Sequence, residues 1–298
     1  YHKKVLRQSN KAKKVMRCIM KKIYLFGVLA ALMLAGCSNA KTTESTSASA
    51  ETSKTASESS EAVKTDSKNT FTVGFDQDFP PMGFVGDDGQ FTGFDLEVAA
   101  EVAKRMGKEI KYQPIAWDAK DMELSSGTID CIWNGFSIQG REDKYTWSKP
   151  YMKNDQVFVV KSDSGIDSIE DLAGKKVEVQ ADSSAEAALK EDPDMVKTFG
   201  SLQTVADYNT GFMDLDMGGV DAIAMDSVVA NYQITKRGGN SFTVLDTPLA
   251  SEEYGVGFKL GNEALRDEVQ AKLDEMKADG SLKTISEKWF GKDVTTLE

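Results

Sequence analysis

The chain holds one histidine, His2, and three cysteines, Cys18, Cys37 and Cys131, so imidazole and thiol chemistry have little to work with. No CxxC or HExxH pair suggests a zinc site. Histidine-dependent acid–base catalysis is all but excluded. What remains is carboxylate, amide and hydroxyl chemistry, gathered in four short polar segments that each end a strand-like run. They are Asp76-Gln77-Asp78-Phe79, Asn134-Gly135, Gln180-Ala181-Asp182-Ser183-Ser184, and Asp226. Ligands of open α/β sheets bind beyond the carboxyl ends of the strands. The four segments are therefore expected to converge on one cleft.

The elements that must carry them read as α/β. Strand-like runs occupy Thr70–Asp76, Ile110–Ile115, Ile129–Trp133, Val157–Val160, Val177–Gln180, Val220–Met225 and Tyr254–Lys259. A helix is predicted over Asp95–Gly107, capped by Asp95, with Leu96, Ala99, Val102, Ala103 and Met106 on its apolar face. Two further helices close the sequence, divided by Gly280. One internal echo stands out: Met122–Gly135 can be laid over Met213–Asp226, with Met, Leu, Gly, Asp and Ile coinciding. Each copy reads as a helix end, a glycine stop and a buried strand. That pattern predicts two lobes on one plan, with the cleft between them. Cys131 falls in one of these strands and is expected to be inert packing.

Charge is uneven. The 298 residues carry 36 basic and 47 acidic side chains, a net charge of −11. Nine of the basic residues and none of the acidic ones lie in residues 1–36. There Met20-Lys21-Lys22 precedes an apolar run from Ile23 to Ala35, which ends in Leu34-Ala35-Gly36-Cys37. A basic start, a short apolar run and small residues before a cut make a secretory signal. The ending resembles the lipobox of bacterial lipoproteins, which implies a lipid on Cys37. Residues 1–19 read as upstream translation and 20–36 as the signal peptide. Residues 37–69, rich in Ser and Thr with Val63 as the sole larger aliphatic, read as a disordered tether. The remaining body, 70–298, holds 23 basic and 42 acidic residues. Such acidity argues against nucleic acid and against electrostatic docking on anionic lipid.

Several motifs in order then carry a resemblance over essentially all of 70–298. They are Gly93-Phe-Asp-Leu-Glu-Val-Ala-Ala-Glu-Val-Ala103, Asp76-x-x-Phe79-x-Pro81, and Gly135-Phe-Ser-Ile138 with Arg141 downstream. Trp147-Ser-Lys-Pro-Tyr151, Gln180-x-x-Ser-Ser184, Asp221 leading to Asp226, and Ala278-Asp-Gly-Ser-Leu282 complete the set. The body resembles the polar amino acid-binding proteins of ABC importers, the bacterial extracellular solute-binding proteins of family 3. That resemblance implies a two-lobed periplasmic-binding (Venus-flytrap) fold with hinge crossings near 153–156 and 248–253. Lobe 1 would comprise 70–155 plus 252–298, and lobe 2 would comprise 156–251. It implies a monomeric, lipid-anchored extracytoplasmic receptor, at the cell surface or in the periplasm, without a cofactor. The receptor would hand a free amino acid to a permease powered by an ATPase.

Within the resemblance, Arg141 would clamp the ligand carboxylate with two parallel N–H bonds, which a lysine cannot imitate. Ser137, Ser183 and Ser184 would add donors, beside Asn134 and Gly135. Asp226 would accept the ammonium from the opposite lobe. Phe79 and Trp117 would flank the ligand side chain, and Asp76 would meet its far end. Plainer roles stay open: a surface charge for Arg141, helix caps for Asp226, Ser183 and Ser184, and core packing for Phe79 and Trp117. Two departures bear on the site. The stretch from Ser137 to Arg141 is one residue short of the common form, and Asp182 stands where the family usually has glycine. Because Asp76, Asp78, Asp118, Asp182 and Asp226 outnumber nearby cations, a neutral polar or cationic amino acid is expected rather than glutamate or aspartate. Two other classes compete. One is an enzyme on the same scaffold, resembling the periplasmic dehydratases, with Asp76 and Asp182 as its acid–base pair. The other is a sensor acting through a separate partner.

Overall fold

The structure, a computed structural model, describes residues 69–297. The leader, Cys37 and all but the last residue of the tether lie outside the described residues.

Short apolar runs bounded by turns become strands because β-branched and aromatic side chains fit a buried pleated surface. β1 (Thr70–Phe75) is buried along nearly its whole length. β2 (Asp78–Phe79), β3 (Gly83–Val85) and β4 (Phe91–Thr92) form a small antiparallel sheet beside it. α1 (Phe94–Arg105) turns Leu96, Val98, Ala99, Val102 and Ala103 into the core, each such apolar side chain worth about 1–3 kcal/mol of burial. β5 (Glu109–Pro114), α2 (Lys120–Ser126), β6 (Cys131–Ile132) and β7 (Tyr145–Trp147) follow. The sequence places Asp95 as the helix cap. Instead Gly93 holds that position, at φ +142°, and a side chain there would collide with the Met82 carbonyl. Asp95 is a first-turn residue, fully buried.

β8 (Met152–Lys161) opens a second sheet, built from β9 (Lys176–Gln180), β10 (Ser201–Val205), β11 (Ala222–Asp226), β12 (Phe242–Val244) and β13 (Ala250–Tyr254). α3 (Ser184–Glu191), α4 (Pro193–Thr198), α5 (Tyr208–Met217) and α6 (Ser227–Lys236) lie among these strands in sequence. The chain then returns to the first sheet as β14 (Gly257–Lys259) and ends in α7 (Glu263–Asp279) and α8 (Ser281–Phe290).

The two sheets share one plan. The first runs β5-β1-β6-β14-β7 and the second β10-β9-β11-β8-β12. Each has three parallel strands followed by an antiparallel one. The echo in the sequence marks the same joint in both. Asp130 and Asp221 each accept a hydrogen bond from the amide of a residue on the neighbouring strand, Thr72 at 2.7 Å and Lys176 at 2.8 Å. Their own amides return the bond to Thr72 and Lys176. The echoed methionines play no such part: Met122 and Met213 are 64% and 56% exposed. The sheets are joined by an antiparallel ribbon in which Met152 of β8 faces Tyr254 of β13, and Gln156 faces Ala250. The fold is the two-lobed α/β arrangement, with both crossings in or beside this ribbon.

Candidate ligand-binding site

The loops after β1, β6, β9 and β11 meet, as strand ends of the two sheets must when both face one cleft. Phe79, Trp117, Asn134, Gly135, Gln180, Ser183, Ser184 and Asp226 line a single narrow cavity. Its accessible space is about 10 Å³, room for roughly one water molecule. Beside it, sharing Trp117, lies a wider cavity of about 400 Å³ that includes Asp76, Asp78, Asp118 and Asp207 and no lysine or arginine in its lining.

Arg141, 8% exposed, lines neither cavity and stands behind Ser184, which lines the narrow one. Its Nη1 donates to Ser184 Oγ at 2.7 Å and to the Ser137 carbonyl at 3.3 Å, and Nη2 donates to the Asp182 carbonyl at 3.2 Å. The guanidinium lies 5.2 Å from the Phe136 ring centroid. Buried and multiply bonded, it is no mere solvated surface charge. Ser183 does cap α3, accepting from the Glu186 amide at 3.1 Å. The Ser137 hydroxyl is buried without a partner among the described residues, and the residue lines neither of the two cavities.

Asp226 lines the narrow cavity and is 4% exposed. It occupies the cap position of α6, yet its side chain makes no cap bond. Its Oδ1 accepts instead from Tyr254 Oη at 2.7 Å, Gln156 Nε2 at 2.9 Å and Asn154 Nδ2 at 3.0 Å. Burial, with Glu252 beside it, pushes this carboxyl up to about 8. Asp76 is also buried. Its amide donates to Asn134 Oδ1 at 2.9 Å, and its Oδ2 accepts from Gln180 Nε2 at 2.7 Å. Burial raises it to about 6, against the opposing pull of the Asp78 amide and Gln180.

Gly135 meets a strict backbone demand. Its φ is +54°, and a side chain would come within 2.9 Å of the Phe79 ring. Its amide donates to Asp95 Oδ2 at 2.6 Å, and Tyr151 Oη donates to both Asp95 oxygens at 2.8 and 2.9 Å. Asp95 therefore fixes the loop from below, a role that the capping rule hid.

Besides the Arg141 bond to the Asp182 carbonyl, four polar pairs tie the sheets across the cleft. Two are Arg141–Ser184 and Gln180–Asp76; a third is Asn209 Nδ2 donating to Asp78 Oδ1 at 2.9 Å. The fourth is Lys120, 1% exposed, whose Nζ donates to the Asp182 carbonyl at 3.2 Å and to its carboxylate. Burial draws Lys120 below its ordinary value, opposed by Asp182. Asp182 has φ +58°, the conformation that the family meets with glycine and one that aspartate tolerates better than most residues. Lys120 gave no signal in the sequence. Neither did Asn154, Gln156 and Glu252, which lie outside the strand-like runs; once β8 and β13 are formed, Asn154 with Gln156 and Glu252 with Tyr254 are i, i+2 pairs, each on one face.

Two lobes with a narrow polar cavity where the strand ends of both sheets meet define a two-lobed solute receptor. The chain belongs to the bacterial extracellular solute-binding proteins, family 3, whose model matches residues 71–292. Residues 20–38 match the prokaryotic membrane lipoprotein lipid attachment site. It is 36% identical over 231 residues to the L-cystine-binding protein TcyJ of Escherichia coli strain K12, covering 76% of this chain and 85% of that protein. Among solved structures it resembles an ABC uptake transporter substrate-binding protein from Streptococcus pneumoniae with bound histidine. That match has a TM-score of 0.74 and 36% identity, covering 76% of this chain and 95% of the other. An ancestral arginine-binding protein bound to glutamine matches with a TM-score of 0.70 and 32% identity, covering 76% and 99%. The protein is thus an extracytoplasmic amino acid-binding component of ABC transport, of the lipid-anchored kind.

Proposed function

We propose that residues 70–155 with 252–298, and 156–251, act as two lobes that close on a free amino acid and present it to an ABC permease and its ATPase. Arg141 takes the ligand carboxylate; among the described residues its Nε has no protein acceptor, which leaves a side of the fork for a carboxylate. Asp226 takes the ammonium. Phe79 and Trp117 sandwich the first part of the side chain, and Asn134, Gly135, Ser183 and Ser184 complete the lining. Ser137 supports the Arg141 guanidinium through its carbonyl. The side chain continues into the wider cavity, where four aspartates and no lining cation favour a neutral polar or cationic end. Histidine, arginine and glutamine, named for solved relatives, end in such groups; cystine, named for TcyJ, ends in a second ammonium and carboxylate, of which the aspartates favour only the ammonium. The protein would act as a monomer, held at the outer face of the cell membrane by lipid on Cys37.

The carrying observation is the narrow cavity lined by buried Asp226, which pairs with no cation among the described residues, and by Ser184, whose hydroxyl is held by buried Arg141. With room for only about one water, the lobes must part to admit an amino acid, and the ligand then replaces cross-cleft hydrogen bonds. Capture rather than chemistry fits the two aspartates that an enzyme would need: Asp182 is paired with Lys120, and Asp76 is held by Gln180. Calorimetry with a panel of amino acids, including L-cystine, tests the reading. Binding tighter than micromolar for one or a few supports it, and nothing tighter than millimolar sinks it.

A further inference from the structure

Behind the ammonium end stands a second buried carboxylate, Glu252 of β13, 6% exposed. Its Oε1 accepts from Asn154 Nδ2 and Gln156 Nε2, both at 2.7 Å. Those same two amides also donate to Asp226 Oδ1. Two carboxyl groups thus share one pair of donors inside the protein.

Among the described residues, no lysine or arginine pairs with either carboxylate. The groups facing the pair are Tyr254 on β13, Tyr208 at the head of α5, Asp76 beyond Tyr208, and Tyr151 next to Tyr254, all neutral or acidic. On the outer side, Glu252 and Asn154 line a solvent-facing pocket of about 480 Å³ behind the ribbon, with Lys153, Asp155 and Glu253 at its rim. Two buried like charges this close cannot both ionise cheaply, so one proton stays with the pair.

We infer that Glu252 is a further residue of the amino-group site: it shares a proton with Asp226, and an entering ligand ammonium displaces that proton to solvent through the pocket behind the ribbon. The inference rests on the amino acid reading above. The balance is simple. Before binding, the pair carries one proton and one negative charge. Afterwards it carries two negative charges and faces one ammonium, and the proton has left. The elevated value of Asp226 agrees with a proton held at neutral pH.

The test is calorimetry on the whole protein at pH 6, 7 and 8, in buffers of different ionisation enthalpy. The probes are L-glutamine and L-arginine, whose side chains keep their charge over that range. For the wild type, about one proton should be released at pH 7, with Kd falling up to about tenfold between pH 6 and 7. In Glu252→Gln the side-chain carbonyl still accepts from both amides and the new amide donates to Asp226. Binding should therefore become independent of pH and, at pH 6, at least about tenfold tighter than wild type. Asp226→Asn should lose both affinity and proton release, with thermal unfolding confirming that each variant folds. Wild-type binding with no proton released, or an unchanged pH slope in Glu252→Gln, would overturn the inference while leaving the amino acid reading intact. Should neither probe bind, the same measurement is made with whichever amino acid of the panel does, and failure of the whole panel at any pH would remove the reading itself, and the inference with it.

Discussion

Asp95 offers a stability measurement whose sign and size follow from its surroundings. The carboxyl is fully buried, and burial pushes it up to about 7 from an ordinary 3.8, despite hydrogen bonds from Gly135 and Tyr151 that favour the charged form. Between those values the folded chain keeps a proton that the unfolded chain has released. Its contribution is therefore complete below pH 4, is lost as pH rises towards 7, and stays lost above. At about 1.4 kcal/mol per pH unit, three units amount to on the order of 4 kcal/mol, of which about 3 kcal/mol falls between pH 5 and 8. Asp95→Asn removes the titration while leaving an oxygen for the Gly135 amide and the Tyr151 hydroxyl. Urea unfolding of both proteins, followed by tryptophan fluorescence at pH 5, 6, 7 and 8, isolates this one group, because other titrations cancel in the difference. The unfolding free energy of the variant should gain about 3 kcal/mol on wild type across that range. A difference that does not change with pH would mean that Asp95 ionises normally inside the fold, and the burial argument would be wrong.

Other measurements probe the cleft. Arg141→Lys keeps the charge but not the fork, and should weaken amino acid binding at least about 100-fold in calorimetry, with thermal unfolding little changed. Gly135→Ala forces a side chain against Phe79 at a positive φ, and should cost about 1–3 kcal/mol in urea unfolding and weaken binding as well. Asp182→Gly relieves a strained backbone, yet strands buried Lys120. A net loss of about 2–4 kcal/mol is expected, recovered in large part by adding Lys120→Met. Gln180→Leu cuts the bond to Asp76 across the cleft, and X-ray scattering in the absence of ligand should show a larger radius of gyration than wild type.

Much of this architecture was legible because it repeats. Gly127-Thr128-Ile129-Asp130 and Gly218-Gly219-Val220-Asp221 form the same joint, and the aspartates bond the neighbouring strand in the same way in both sheets. Strand ends located Asp76, Asn134, Gly135, Ser184 and Asp226, since a parallel sheet leaves its loops at one edge. What failed was local. A polar residue at a helix start looks like a cap wherever its neighbours are unknown, and only the packing of Gly93 on Met82 shows that Asp95 lies inside the first turn. β8 runs longer than its apolar stretch, because pairing with β13 holds polar residues such as Asn154 and Gln156 in an extended strand. Lys120 sits in a charged helical run where nothing distinguishes a buried lysine from a solvated one. Its partner Asp182 lies 62 residues away.

The ribbon of β8 and β13 has one more consequence. Asn154 and Gln156 grip Asp226, and both belong to β8, which with β13 forms the ribbon that, on the function proposed above, bends when the lobes swing. Detector and axle are one piece of chain, so no relay has to carry news of occupancy across the molecule. It follows that grip and swing cannot be tuned apart. A substitution in this ribbon that sharpens affinity will also stiffen or loosen the joint, and selection for a new ligand is more free to act at the far, aspartate-lined end.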